Sequence, residues 1–442
     1  MSEKVLVVGG GAREHAIAEA VQRSGGAVYA TLKNRNPGIL RLAKEHKLVD
    51  ETAVSDIVAA AKGWNVDLAV LGMDAAVAAG VADCLAAAGI PTASPTRAAG
   101  EIEWSKAFMR RLLDERKVPG RLQYRIFDND RGLARYVESL GEVAVKPIGL
   151  TGGKGVKVTG DHLADAAEAT AYASEILRTG FGGESRVLVE EKVEGEEFSL
   201  QCFCDGNVAV PMPAVQDHKR AWEGDKGPNT GGMGSYSDAN GLLPFMTRAD
   251  YEDAAVIAQK ILEALAAEGR PYVGTMYVQF MLTSDGPRVI EVNARFGDPE
   301  AMNVLSTLKT NYLDVLHAMV DGTLGQRRVA FAPEATVCKY VVPEGYGVKS
   351  AANEPLEVDE KAIAEAGARA YYAAVNERDG RLTTTTSRTV GIVACAPTLA
   401  EANERADRAL AGVRGPRLFA RRDIGSASLL AERVRHMEKI RG

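Results

Sequence analysis

Three short apolar runs dominate the first hundred residues: Val-Leu-Val-Val at 5–8, Ala-Val-Tyr-Ala at 27–30 and Leu-Ala-Val-Leu-Gly at 68–72. Between and after them, near 14–23, 55–62 and 75–88, apolar residues recur at helical spacing. Strand and helix in alternation force a parallel α/β sheet, because a parallel pair needs a crossover between its strands. Ligands of such sheets sit beyond the carboxyl ends of the strands. Pro91 and Pro95 mark the exit from this unit.

A chain of 442 residues has room for about three domains. The pattern divides it into an N-terminal parallel α/β unit (1–103), a central unit (104–327) containing a smaller subdomain over about 118–192, and a C-terminal mixed α/β unit (328–442). A helix is expected from about Ser105, strands at 143–147 and 186–204, and a long helix over 161–178. A hairpin is expected over 276–293. The last unit combines strands in ATVCKYVVP and TVGIVACA with helices over 361–375 and 398–411.

With 53 Lys plus Arg against 59 Asp plus Glu, the net charge is −6, which argues against a nucleic-acid partner. No run approaches the ~18–20 apolar residues of a membrane span, and the first one is too short for a signal peptide. The five scattered cysteines read as free thiols of a cytoplasmic protein. Cys202 and Cys204 lie on a strand before an Asp205-Gly206 turn, where packing is the expected role.

The strand RVIEVN ends on Glu291 and Asn293, two residues apart and therefore on one face. Magnesium favours such hard oxygen donors, completed by phosphates and water. The alternative is the wet face of an edge strand. Arg295 follows within reach of an anion held there.

GGGAREHA (9–16) follows the first strand and opens the first helix. Backbone N–H groups at a helix start bind anions, and glycines allow a phosphate to approach. Glu14 stands where a dinucleotide fingerprint needs its third glycine, so NAD is disfavoured. A sugar phosphate suits the segment better, with backbone amides for phosphate, Arg13 for charge, and Glu14 and His15 for hydroxyls or an amine. The alternative is a tight turn whose glycines serve packing alone.

Lys146 ends the valine-flanked strand VAVKP, and an ammonium there would be costly to bury without an anion. TGGKGVKV (151–158) suits a flap closing over phosphates, although a glycine hairpin that binds nothing would look the same. It is not a Walker A loop, because no Lys-Ser/Thr pair leads into a helix. In EEKVEGEEFS (190–199), Glu196 or Glu197 is available to ribose hydroxyls, unless the segment is a solvated acidic turn.

A strand lysine, a glycine flap, an acidic hinge and a Glu-x-Asn strand end, in that order, resemble the ATP-grasp fold. Within it, GGGAREHA, QDHKR (216–220), GPNTGGMGSYS (227–237) and EVNARFGDPE (291–300) closely resemble the phosphoribosylamine–glycine ligase family of purine biosynthesis. The likeness runs from the first strand to RRDIG (421–425).

It implies a central ATP-grasp fold and the ligation of glycine to 5-phosphoribosylamine by a monomer, with ATP and Mg2+ or Mn2+. Carried over by position, Lys106 and Lys146 look like the triphosphate lysines. Gly152, Gly153, Lys154 and Gly155 look like the flap, and Glu190, Val193 and Glu197 like the adenosine hinge. Glu291 and Asn293 look like the metal ligands. Asp217, Lys219, Arg220, Arg295, Asp298 and Glu300 look like the groups around glycine and the amine, with Arg295, Asp217 and Lys219 nearest the chemistry. Gly11, Arg13 and Glu14 look like contacts to the ribosyl phosphate. Three family motifs are altered. Gly-Pro-Glu-x-Pro reads Gly72-Met73-Asp74-Ala75-Ala76, Gly-Pro-Thr reads Ser94-Pro95-Thr96, and the C-terminal Gly-Gly-Arg loop reads Thr385-Thr386-Ser387-Arg388.

The chemistry expected is phosphorylation of the glycine carboxylate, followed by attack of the amine. GPNTGGMG would offer backbone N–H groups to an anion. His218 is expected to be structural, because an amine nucleophile already carries its lone pair. Other carboxylate–amine ligases and biotin-dependent carboxylases share the general architecture, but the 216–220 and 227–234 loops speak against both.

Overall fold

The computed structural model describes residues 2–149 and 155–442. The first unit is an all-parallel sheet with strands in the spatial order Ala43–Leu48, Ala27–Leu32, Lys4–Val8, Leu68–Leu71. Val5, Leu6, Val7 and Val8 are all fully buried, as helices on both faces of such a sheet require. Gly72 closes the fourth strand, where any Cβ would collide with the Glu14 carboxylate.

Two antiparallel sheets make the centre. In the larger, the order is Ala209–Pro211, Glu196–Asp205, Val273–Thr283, Gly286–Asn293. The helix Arg248–Ala267 packs on it, and Phe198 stacks on Phe280 at 5.1 Å within that core. The smaller sheet runs Tyr124–Phe127, Val187–Glu191, Val143–Pro147, Lys157–Val158. The last unit is built on Ala335–Pro343 and Val390–Ala396, flanked by Ala368–Tyr372, and it is continuous with Gly234–Ser237. The C-terminal sheet therefore holds the central loops directly.

Several local expectations are corrected. The expected helix 361–375 is confined to Glu360–Glu365, because Gly367 takes φ +81° and Ala368–Tyr372 joins the sheet. The long helix begins later than expected, at Ala166, where Asp165 caps it by accepting from Glu168 N–H. The strand Ala43–Leu48 and the terminal helix Ala427–Arg441 had no counterpart in the sequence reading. Among the described residues no helix is long and apolar enough to cross a membrane.

Candidate functional site

The two central sheets enclose a cleft of about 670 Å³ that also takes residues from the first and last units. Lys106, Lys146, Val193, Glu190 and Glu197 line it, as do Asp217, Lys219, Arg220, Glu291, Asn293, Arg295, Asp298, Glu300 and Arg13. Gly152, Gly153 and Lys154 lie outside the described residues. Gly155 takes φ +84°, and its carbonyl accepts from Tyr172 OH at 2.8 Å.

The elements explain how the cations reach the cleft. Lys106 opens the helix Lys106–Glu115, which Ser105 caps by accepting from Phe108 N–H. Its ammonium donates to Gly149 O at 3.0 Å, and burial lowers its pKa. Lys146, on the strand Val143–Pro147, is buried and ion-paired with Glu190. Arg110 holds the other oxygen of Glu190 at 2.8 Å and donates to Val289 O and Ile290 O. Burial alone would raise the Glu190 carboxyl, but Arg110 and Lys146 outweigh it and hold it below its ordinary value. The Glu190 side chain thus anchors Lys146. Arg110 emerged only from the structure.

The hinge alternatives separate clearly. Glu196 is buried and taken by His436 Nδ1 at 2.6 Å, Gln216 Nε2 at 3.2 Å and Arg433 at 3.4 Å. Glu197 is half-exposed and bonded to Gln279 at 3.0 Å, with Lys219 at 3.5 Å. Of the two, Glu197 is therefore the carboxylate that stays open to the cleft.

Glu291 and Asn293 stand across from Gln279 and Tyr277, with a bulge between Gln279 and Phe280 that turns the strand end. The Asn293 amide donates to Glu291 Oε1 at 3.3 Å. Burial favours a protonated Glu291, yet Lys219, Asn293 and Lys146 lower its pKa, so it is ready as an anion. No group of three or more His, Cys, Asp or Glu that could hold a metal occurs among the described residues. The pair suits an ion that takes its remaining ligands from phosphates and water.

Deeper in the cleft, Asp217 and Glu300 have raised pKa values. Burial is the main cause for each, and Glu300 adds its repulsion to Asp217. Asp217 Oδ1 and Glu300 Oε1 are buried without a hydrogen-bond partner among the described residues. Lys219 is held firmly protonated, since Glu197 and Asp217 outweigh its burial. Arg295 reaches Glu103 at 2.9 Å, Asn293 Oδ1 at 3.0 Å and Phe296 O at 3.2 Å. Arg13 donates to the same Phe296 carbonyl at 3.0 Å, so two guanidinium groups converge there.

The glycine turn behaves partly as the packing alternative anticipated. Glu14 is fully buried, takes Gly11 N–H at 2.6 Å and holds Arg13 Nε at 2.7 Å. His15 turns away from the cleft. Its Nδ1 accepts from Tyr372 N–H at 3.0 Å, its ring fills the space left by Gly38, and burial pushes its pKa down to about 3. It joins the first unit to the last instead of serving a hydroxyl.

The 227–234 loop also differs from expectation. The amides of Thr230, Gly231, Gly232 and Met233 all donate within the chain, so they form no open anion nest. Arg388, from the last unit, ties this loop to the Asp298 turn by donating to the Gly231 carbonyl at 2.6 Å and the Asp298 carbonyl at 2.7 Å. His218 Nδ1 donates to the Asp225 carboxylate (3.3 Å), the ring stacks on Tyr236 at 5.9 Å and Nε2 stays buried, consistent with a structural role. Asp225 in turn binds Arg421 at 2.6 Å and pairs with Arg433. These partners lie some two hundred residues from Asp225, so local spacing gave no sign of them.

Two antiparallel sheets lining one cleft, with Lys146 on the smaller, Lys106 at a helix start beside it and the acidic strand end Glu291–Asn293 on the larger, define an ATP-grasp enzyme. Family models for the phosphoribosylglycinamide synthetase N domain, ATP-grasp (A) domain and C domain match residues 3–103, 104–301 and 336–427. The chain belongs to the phosphoribosylglycinamide synthetase family. It is 49% identical over 439 residues to the phosphoribosylamine–glycine ligase of Methanothermobacter thermautotrophicus, covering 99% of this chain and 100% of the relative. The crystal structure of the phosphoribosylamine–glycine ligase of Thermotoga maritima has the same fold, with a TM-score of 0.81 at 23% identity, covering 95% of this chain and 100% of that one. The biotin carboxylase domain of Hydrogenobacter thermophilus 2-oxoglutarate carboxylase, solved with magnesium ADP and bicarbonate, aligns with a TM-score of 0.73 at 16% identity, covering 99% and 98%.

Proposed function

We propose that this cleft joins glycine to 5-phosphoribosylamine at the expense of ATP, through the residue roles that follow. The reaction is the ATP-dependent ligation of purine biosynthesis, releasing glycinamide ribonucleotide, ADP and phosphate. One observation carries the assignment of roles. The same cleft presents phosphate-type cations (Lys106, Lys146) and two buried carboxylate oxygens, on Asp217 and Glu300, that lack a donor. A glycine ammonium supplies three N–H donors to such oxygens, and its carboxylate then faces the cationic side.

Lys106 and Lys146 neutralise the triphosphate, with Lys154 of the flap. Val193 and the hinge backbone receive adenine, and Glu197 receives the ribose. Glu291 and Asn293 would hold Mg2+ or Mn2+, which supplies charge neutralisation on the phosphates when bound. Phosphoryl transfer asks the protein chiefly for alignment and charge. A glycine carboxylate oxygen attacks the γ-phosphorus, and ADP leaves. The ribosylamine nitrogen then attacks the carbonyl carbon of glycyl phosphate. The oxyanion collapses, inorganic phosphate leaves, and the nitrogen loses its proton. Arg295 stabilises the acyl phosphate and that oxyanion, while Lys219 fixes the carboxylates around glycine. Arg13, with Gly11 and Glu14 behind it, faces the ribosyl phosphate; Arg220 and Asp298 border the amine.

A monomer is the working unit proposed. Five free thiols support a cytoplasmic location.

ADP release measured with each substrate omitted in turn tests this reading. Full release is expected only with ATP, glycine and freshly generated phosphoribosylamine together. Release driven by bicarbonate, or independent of the amine, would refute it.

A further inference from the structure

Glu103 lies in the last turn of the helix Arg97–Trp104, which carries the chain out of the first unit. An acid there opposes the helix dipole. Its burial, at 9% exposure, raises the cost. Both of its oxygens are nevertheless committed. Oε2 accepts from Ala294 N–H at 2.7 Å, and Oε1 pairs with the Arg295 guanidinium at 2.9 Å. Ala294 and Arg295 directly follow Asn293. One carboxylate from the first unit thus grips the backbone and the side chain of the turn that ends the Glu291–Asn293 strand.

The Arg295 guanidinium has few other constraints. It donates to Phe296 O and Asn293 Oδ1 and lies 5.9 Å from the Tyr277 ring centre. Both oxygen partners are within two residues of Arg295, so they move with the turn. Glu103 supplies the reference from outside it. Asp74 and Arg13 also line this part of the cleft. Arg13 is itself a cation, and Asp74 adds its charge to Arg295 only at longer range, with no ion-pair contact, so Glu103 is the carboxylate that grips the guanidinium directly.

We propose that Glu103 is a positioning residue that orients Arg295 toward the carboxylate being activated and ties the first unit to the reacting turn. The inference rests on the role given to Arg295 above. A misplacement of about 1 Å at a reacting group costs ~100-fold in rate.

The test is a double-mutant cycle in the full-length enzyme. Glu103→Gln keeps the shape and an acceptor for Ala294 N–H but removes the charge. It is expected to lower kcat by ~10–100-fold, with KM for ATP nearly unchanged. Glu103→Asp keeps the charge one methylene short, should recover part of that loss, and serves if the Gln variant folds poorly. In an Arg295→Ala background, Glu103→Gln should add little, because coupled residues are not additive. Multiplying losses would overturn the inference alone, as would an unchanged kcat. Full activity of Arg295→Ala would overturn the reading of Arg295, and this inference with it.

Discussion

Replacing Glu291 and Asn293 together by alanine should lower magnesium-dependent turnover by at least ~10³-fold, since a metal at transferring phosphates contributes several kcal/mol to the transition state. The two residues end a strand whose ladder to Val273–Thr283 is carried by backbone groups from Thr283 to Tyr277. The fold should therefore survive. Circular dichroism should match the parent, while steady-state ADP release over a magnesium titration reads the loss. The electrostatics make the effect specific. Glu291 is held as an anion against its burial by Lys219, Asn293 and Lys146. Taking it away leaves Lys219 and Lys146 without that counter-charge and removes the carboxylate that would hold the metal. Turnover near the parent level at ordinary magnesium would show that another pair of donors holds the ion.

Arg295→Ala should lower kcat by ~10²–10³-fold, the usual result of removing one preorganised donor from a developing anion. KM for ATP should change little, because Lys106 and Lys146 carry the triphosphate. The loss should appear in kcat and in kcat/KM for glycine alike, as expected for an interaction made mainly in the transition state. Steady-state kinetics with each substrate varied in turn separates these effects. A rise in KM for ATP with kcat unchanged would make Arg295 a nucleotide-binding residue instead.

Much of the fold was legible because burial leaves periodic traces. The strands at 4–8, 27–32 and 68–71 are built on the apolar runs 5–8, 27–30 and 68–71, as a sheet covered on both faces demands. Ala43–Leu48 was not legible, because it is an edge strand whose Lys, Glu and His side chains stay in solvent. The segment 361–375 misled because its alanines suit a helix. The Gly367 turn and the pairing of Ala368–Tyr372 with Val390–Ala396 decide otherwise, and pairing across twenty residues is not a local signal.

The site divides in the same way. Lys146, Glu291, Asn293 and Arg295 could be read from strand ends and short spacings. Arg110 and Glu103 could not, since each acts on partners 80 to 191 residues away. The one sequence trace of Glu103 is an acid placed at the unfavourable end of a helix. His15 was misread because a histidine beside a glycine turn resembles a ligand contact. Only the structure reveals Tyr372 N–H as its donor.

The central claim is that the carboxylate of glycine becomes an acyl phosphate before the amine attacks. Glycine labelled with 18O in both carboxylate oxygens tests it directly, with the released phosphate read by mass spectrometry. One 18O atom in each phosphate is the predicted result, because the oxygen that attacks the γ-phosphorus leaves with it. Phosphate free of label, formed while glycinamide ribonucleotide accumulates, would contradict the account.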